Sequence, residues 1–272
     1  MERTIVVTGA GSGIGRATAI EAAGLGFGVV ASVHHADQVG PLERQARSAG
    51  ANLVVEVLDV TDDARAREII ERHRPWGLVN AAGLMMPAMV ADTPPADARR
   101  HLDVMVLAPL RLAQLALPGM RRDGGGRIVN VSSIAGDANG PFLGWYEAAK
   151  QALGAVSDAL RTEVARYGVD VVLVEPGPHA TPIWDKARSY LELRQADAPE
   201  PDLYDGPIAV VDEMSHRSGD PQEVATTIGE VLHAGRPRFR YRVGRGSNVM
   251  PLVSKVVPTS VRDRVTRSLA GL

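Results

Sequence analysis

Residues 4–15 read TIVVTGAGSGIG. The opening TIVV is apolar and mostly β-branched, the pattern of a strand covered on both faces. Glycines then fall at positions 9, 11, 13 and 15. Glycine permits positive φ and lets another backbone or a ligand come close. A helix-like periodic segment, Gly13–Gly24, follows. Strand, glycine turn and helix N-terminus in that order make a place where an anionic pyrophosphate can meet unpaired backbone N–H groups. A plain tight turn between strand and helix is the competing reading. No Lys-Ser/Thr pair follows the glycines, which disfavours a nucleoside-triphosphate loop.

The same alternation continues downstream and favours the dinucleotide reading. Strands are expected at Thr4–Thr8, Gly28–Val33, Leu53–Leu58, Gly77–Asn80, Gly126–Ser132 and Val169–Val174. Helices are expected at Gly13–Gly24, Pro41–Ala49, Asp62–Arg72, Pro95–Leu117 and Trp145–Tyr167. Strand–helix alternation of this kind predicts an α/β fold, a Rossmann-type doubly wound parallel sheet in one domain spanning 1–272. Residues 178–219, rich in Pro, Asp and Ala, read as a flexible lid-like insertion. Asp220, Pro221 and Gly235 then bracket a further helix, RFRYRVG reads as a short strand, and 244–272 form a basic C-terminal extension.

Composition narrows the function classes. The 272 residues carry a formal net charge of −2, which suggests no nucleic-acid or acidic-membrane partner. With 0 cysteines, disulfides, thiolate catalysis and Cys-zinc sites are ruled out. No metal site is expected. RTIVV reads as a strand rather than a signal peptide, and no apolar run reaches the about 20 residues of a membrane helix. A cytoplasmic location is the expectation.

The stretch WYEAAK at 145–150 sets Tyr146 four positions before Lys150, on one helix face. A free phenol titrates near pH ~10, too high for proton transfer at neutral pH, and a nearby ammonium lowers it. Two solvated side chains on a helix are the competing reading. In order along the chain stand TGAGSGIG, LDV at 58–60, NAAG at 80–83, NVSS at 130–133, Tyr146 with Lys150, and PGPHAT at 176–181. With its TGxxxGIG spacing and YxxxK pair, the chain resembles the short-chain dehydrogenase/reductase family over nearly its whole length. Its C-terminal third is similar to the branch containing 17β-hydroxysteroid and retinol dehydrogenases.

That resemblance implies an NAD(P)-dependent oxidoreductase interconverting a hydroxyl and a carbonyl on a small apolar substrate. It implies Tyr146 as acid/base, Lys150 as the group that lowers the tyrosine pKa and holds the nicotinamide ribose, and Ser133, rather than its rival Ser132, as donor to the substrate oxygen. It implies cofactor contacts at Gly9, Gly11, Ser12, Gly13, Ile14, Gly15, His34, Asp59, Val60, Asn80, Ala81, Gly83, Pro176, Gly177 and Thr181, with Arg16 as an extra phosphate contact. Asp59 has a second reading as a residue near a helix N-cap. Substrate-lining candidates are Met85, Phe142 and Trp184, with Met86, Leu143 and Trp145 beside them; each can equally be core. The family's members commonly assemble as dimers or tetramers through the helices at 95–117 and 145–167.

Two departures stand out. The family carries an asparagine, holding a water in a proton path, where LDVM places Met105. At the end of the second strand, NAD-preferring members carry an acid, and here Val33 stands. Without that carboxylate, and with His34 and His35 following, NADP(H) is expected over NAD(H), although Ser12 replaces the basic residue of some NADP enzymes. A cofactor-binding protein with little or no catalysis, in a regulatory or scaffolding role, is the alternative that Met105 supports. A dehydratase or epimerase on the same fold would show different glycine or Tyr–Lys spacing. The tail VSKVVPTSVRDRVTRSLAGL reads either as a membrane-surface helix or as one packed on the domain or a second subunit.

Overall fold

The computed structural model describes residues 3–137, 140–244, 247, 257 and 259–270. Strands β1 (Thr4–Val7), β2 (Gly28–Val33), β3 (Val54–Val57), β4 (Gly77–Asn80), β5 (Gly126–Val131), β6 (Val169–Pro176) and β7 (Arg240–Val243) form one parallel sheet. Their order is β3-β2-β1-β4-β5-β6-β7. The order reverses direction between β1 and β4, and a crevice opens there at the carboxyl ends of the strands.

Alternate residues of each strand feed two cores. Val6, Val30, Leu78, Ile128 and Val171 face a layer made by α3 (Asp63–His73), α5 (Ala108–Arg122) and α6 (Gly144–Val164). Ile5, Val29, Val79, Val129 and Val172 face the opposite layer of α1 (Gly13–Gly24), α2 (Val39–Ser48) and α9 (Pro221–His233). Both faces are thus covered, which is why the strands lack polar alternation. The fold class read from the sequence is the one observed.

Helix α4 (Pro95–Leu102), a wide π turn at Asp103–Leu107 and α5 run on as one rod. The sequence reading stopped this helix at Leu117, before Pro118. It continues because Pro118 is exposed, where water serves the freed carbonyl, while Met120 is fully buried and pulls in the last turn. Pro95–Arg122 is long and apolar enough to cross a membrane by composition. Its apolar side, however, is used by the core through Val104, Met105, Ala108, Leu112 and Met120.

The flexible insertion expected at 178–219 is instead largely helical. α7 (Ile183–Asp197) and α8 (Asp205–His216) close around Met85, Phe142, Ala187, Leu191, Tyr204 and Val211. Its few large apolar side chains are enough to build a third small core, and Tyr204 is wholly buried there. The Tyr190 hydroxyl donates to Asp97, Arg194 donates to the Asp92 carbonyl at 3.0 Å, and Tyr204 donates to the Asp92 carboxylate at 3.3 Å. These bonds fasten the cap to α4 and the turn before it. At the C-terminus α10 (Thr259–Ala270) lies against α8. Most of 244–258, the first half of the expected extension, lies outside the described residues.

At the opposite end of the sheet, Arg127 of β5 is buried. Its guanidinium donates to the Val231 carbonyl, to the Leu232 carbonyl at 3.0 Å and to Asp170 at 2.7 Å. It thereby satisfies carbonyls at the end of α9, where a helix leaves acceptors unpaired. Arg127→Met keeps the stem but strands those acceptors, and should lower stability by about 2–3 kcal/mol. Urea denaturation reads this directly, and an unchanged midpoint would show no net contribution from the guanidinium.

Candidate active site

The glycine turn brings three backbone segments closer than any side chain would allow. A Cβ on Gly9 would lie 2.7 Å from Ala82 Cα, and one on Gly15 would lie 2.3 Å from the Gly9 carbonyl oxygen. Gly9 and Gly13 also hold φ of 68° and 53°. Thr8 locks the crossing: its hydroxyl accepts from the N–H groups of Ala81 at 3.1 Å and Ala82 at 3.2 Å. Ser12 caps α1 in extended conformation with its hydroxyl unused by the helix. A cradle with no room for Cβ atoms and an open helix N-terminus suits the pyrophosphate of a dinucleotide.

This turn forms one wall of a cavity of about 470 Å³. Of the residues expected from sequence, Gly9, Gly11, Ser12, Gly13, Ile14, Gly15, His34, Asp59, Val60, Ala81, Gly83, Met85, Tyr146, Lys150 and Thr181 line it. Thr181 closes over the turn: a Cβ on Gly13 would meet its Cγ2 at 2.8 Å.

Other expected residues do not reach the cavity. Asn80 is buried between strands, its amide donating to Asn130 Oδ1 at 2.8 Å, and Asn130 in turn donates to Ser157 of α6 at 2.8 Å. It steadies the sheet from within. Arg16, Pro176 and Gly177 are not in the lining; the Gly177 N–H is taken by the Val243 carbonyl at 2.8 Å. Phe142 belongs to the cap core, edge-on to Tyr204 with ring centroids 5.0 Å apart. Trp184 packs at the rim of the same core, and its ring N–H donates to the His179 carbonyl at 2.9 Å. Both aromatics therefore pack in the cap core and lie outside the cavity lining, because the cap has few other large side chains to fill it.

At the adenosine end, Asp59 is not the cap of α3; Asp62 is, accepting from the Arg65 N–H at 3.0 Å. Asp59 accepts from the Thr61 N–H at 2.9 Å and hydroxyl at 2.7 Å, and lies 3.3 Å from His34 Nε2. Burial raises its pKa, but the Thr61 and His34 bonds outweigh it and hold the carboxyl below its usual range. His34 Nδ1 lies 2.7 Å from His35 Nε2. Gln38, which no sequence signal singled out, accepts from the N–H groups of His34 and His35 at 3.1 Å each and packs over Gly11.

At the other end, Tyr146 and Lys150 project from one face of α6. Lys150 Nζ donates to the Val131 carbonyl at 3.0 Å and lies 5.7 Å from the Tyr146 ring centroid. Ser133, just past β5, hydrogen-bonds to the Tyr146 phenol. Its rival Ser132 is spent on the Lys150 carbonyl at 3.2 Å, although it lines the cavity. Burial pushes the Tyr146 phenol up; the Ser133 bond lowers it and neighbouring Glu147 adds a further rise. The lowering expected from Lys150 is not among these influences, and the net shift favours the protonated phenol. Burial alone lowers the Lys150 ammonium to about 8.

Met105 sits in the π turn beside these groups. A Cβ on Gly83 would lie 3.9 Å from its sulfur and 4.0 Å from Lys150 Nζ. It lines the cavity and fills the core at once, contributing neither a donor nor a strong acceptor. Glu147 is buried one residue after Tyr146, accepts from the Gly140 N–H at 2.9 Å, and is raised by burial to about 7.

With this geometry in view, comparison with known proteins places the chain. The family model for short chain dehydrogenase matches residues 3–192, from β1 into α7. The chain belongs to the short-chain dehydrogenase family. It is an NAD(P)-dependent oxidoreductase acting on CH–OH groups. It is 32% identical over 278 residues to the NADPH-dependent 3-dehydrocapnine reductase of Ornithobacterium rhinotracheale, covering 97% of this chain and 95% of that protein. It is 31% identical over 289 residues to human 11-beta-hydroxysteroid dehydrogenase type 2, covering 96% of this chain and 69% of that one. A short-chain dehydrogenase from Streptomyces avermitilis superposes with a TM-score of 0.78 at 26% identity, covering 98% and 95% of the two chains.

Two pH-dependent behaviours follow from the buried groups. Activity that relies on the Lys150 ammonium should fall as pH rises through about 8. Met105→Asn places an amide oxygen beside Lys150 and should move that alkaline limb upward by about one unit; identical limbs in a rate–pH profile would refute this. The Glu147 carboxyl is raised in the fold, so its contribution to stability is present below the ordinary value of 4.5 and is lost as pH rises to about 7. Glu147→Gln should therefore gain on the order of 2 kcal/mol relative to the native chain between acid and mildly alkaline pH. Thermal midpoints at both ends of that window give the comparison.

Proposed function

We propose that the chain is an NADP-dependent reductase or dehydrogenase interconverting a carbonyl and a hydroxyl on a compound with an apolar body. One observation carries the reading: Tyr146 and Lys150 line the same cavity as the glycine turn, and Ser133, just outside the lining, hydrogen-bonds to the Tyr146 phenol. In the direction of reduction, the Ser133 hydroxyl orients the carbonyl oxygen. The Tyr146 phenol gives it the proton, and the Lys150 ammonium stabilises the phenolate left behind. In oxidation the same phenolate takes the hydroxyl proton. The dinucleotide, when bound, supplies or accepts the hydride at the reacting carbon. Gly9–Gly15 would hold its pyrophosphate, Asp59 and Val60 its adenine, and Lys150 its nicotinamide ribose.

NADP(H) is favoured because β2 ends in buried Val33, with no carboxylate to repel a 2′-phosphate. His34, His35 and Gln38 line the cavity beyond it, and a relative is named as NADPH-dependent. The steroid dehydrogenase among the relatives supports an apolar substrate, for which Leu84, Met85, Met86 and Ile183 line the wall. We place the enzyme in the cytoplasm, as a dimer or tetramer formed through the α4–α5 rod and α6.

Titration of the purified protein by NADPH and NADH fluorescence, followed by reduction of apolar ketones, tests the reading. NADPH should bind at least about tenfold tighter, a difference of roughly 1.4 kcal/mol. Tyr146→Phe should lower kcat by about 10²–10⁴-fold while leaving NADPH binding intact. Preference for NADH would overturn the cofactor assignment alone. Binding of cofactor without any turnover would favour the second reading, a cofactor-binding protein with little catalysis, for which Met105 beside Lys150 speaks.

A further inference from the structure

Part of the cavity wall is apolar, and two exposed cations join its lining. Leu84, Met85 and Met86 come from the loop after β4, and Ile183 from the start of α7. Arg100 of α4 and Lys186 of α7 also line the cavity, from two different helices. Ile183, Lys186 and Tyr190 fall three and four positions apart and share one face of α7. Both cations are exposed, whereas Lys150 is buried and Tyr146 half-buried.

Their surroundings leave that charge uncompensated. Among the described residues no carboxylate lies within ion-pair distance of Arg100 or Lys186, although other arginines of the cap do pair, such as Arg188 with Glu192 at 2.7 Å. Asp97, one turn before Arg100, takes the Tyr190 hydroxyl. The only carboxylate in the cavity lining is Asp59, at the adenosine end and already engaged by Thr61 and His34. The Tyr190–Asp97 bond joins the two helices that carry Arg100 and Lys186.

Resting on the proposed carbonyl–hydroxyl chemistry, we propose that the substrate is an amphiphile whose apolar body carries an oxyanion head group, carboxylate or phosphate, held between Arg100 and Lys186. Leu84, Met85 and Met86 take the body and the reacting carbon reaches Tyr146. A wholly apolar ketone would leave both cations unused, and an anionic one gains a charge-assisted contact from either wall.

The test compares three probes with NADPH present: a medium-chain oxo-carboxylic acid, its methyl ester, and the oxo-alkyl phosphate of the same length. Both anions should exceed the ester in kcat/KM by about tenfold or more, carried by KM. The better of the two identifies the head group. In Arg100→Gln/Lys186→Gln the ratio of anion to ester should fall toward one, and Arg100→Lys should retain most of it. Binding of each probe to the protein–NADPH complex, followed by fluorescence, gives the same comparison independently of turnover. Anion preference in binding without turnover would support the head-group site while counting against the catalytic reading. Turnover of the ester as well as the acid, with no preference in either assay, would overturn the head-group site and leave the catalytic reading standing. A double variant that weakens NADPH binding but leaves the anion-to-ester ratio unchanged would also overturn it, by showing that the cations serve the cofactor.

Discussion

The structure hangs on one close approach, between the turn after β1 and the chain leaving β4. Gly9 runs against Ala82, Gly15 runs under the Gly9 carbonyl, and the Thr8 hydroxyl gathers the N–H groups of Ala81 and Ala82. A side chain at Gly9 would push the two strand ends apart, and one at Gly15 would push the helix start off the Gly9 carbonyl. Because β1 and β4 are neighbours at the point where strand order reverses, that separation would also open the crevice in which the cofactor cradle and Tyr146 share one cavity. The glycines act as a spacer set at zero thickness, and the threonine holds it closed.

What the crevice encloses is governed mainly by loss of water. Burial raises Tyr146 and Glu147 and lowers Lys150, and in each case it is the largest influence. Three ionisable groups within five residues of one helix are therefore all pushed toward their neutral forms. A neutral phenol suits proton donation to a carbonyl. A lysine near the edge of neutrality does not by itself suit stabilising a phenolate, and Met105 does nothing to relieve it. The Lys150 bond to the Val131 carbonyl fixes its position without adding charge.

Much of this was legible in the sequence because it is local. The glycine spacing, the strand pattern and the Tyr–Lys interval each concern a few adjacent positions, and they located the glycine turn, the sheet and the Tyr146–Lys150 pair that lines the cavity. What was not legible depends on partners far away in sequence. Thr8 reads as a strand end until Ala81 and Ala82 are seen against it. Gln38 has no pattern of its own, and matters because its amide folds back over Gly11 and the His34–His35 amides. Phe142 and Trp184 were expected in the substrate wall since they flank the site in sequence; the cap claims them because its own helices supply few large apolar residues. The cap helices were missed for a related reason: Pro, Asp and Ala between them weaken the periodic signal, and their order comes from Tyr204, Leu191 and the polar bonds to Asp92 and Asp97.

The far edge of the sheet shows how such distant contacts reach the site. Glu175, buried at the end of β6, is met by Arg240 at 2.6 Å and Arg242 at 3.1 Å, both from β7. Arg240 also reaches Asp158 of α6 at 3.1 Å, and Arg242 reaches Asp137 at 3.3 Å, in the turn that follows Ser133. The two arginines on this buried carboxylate thus connect the edge strand, α6 and the turn after Ser133. Exposed ion pairs contribute little to stability, but a buried carboxylate stripped of its arginines would be left uncompensated. The short strand RYRV therefore does more than finish the sheet. Through Arg240 to α6 and Arg242 to the turn after Ser133, it ties both to the edge of the sheet beside Glu175.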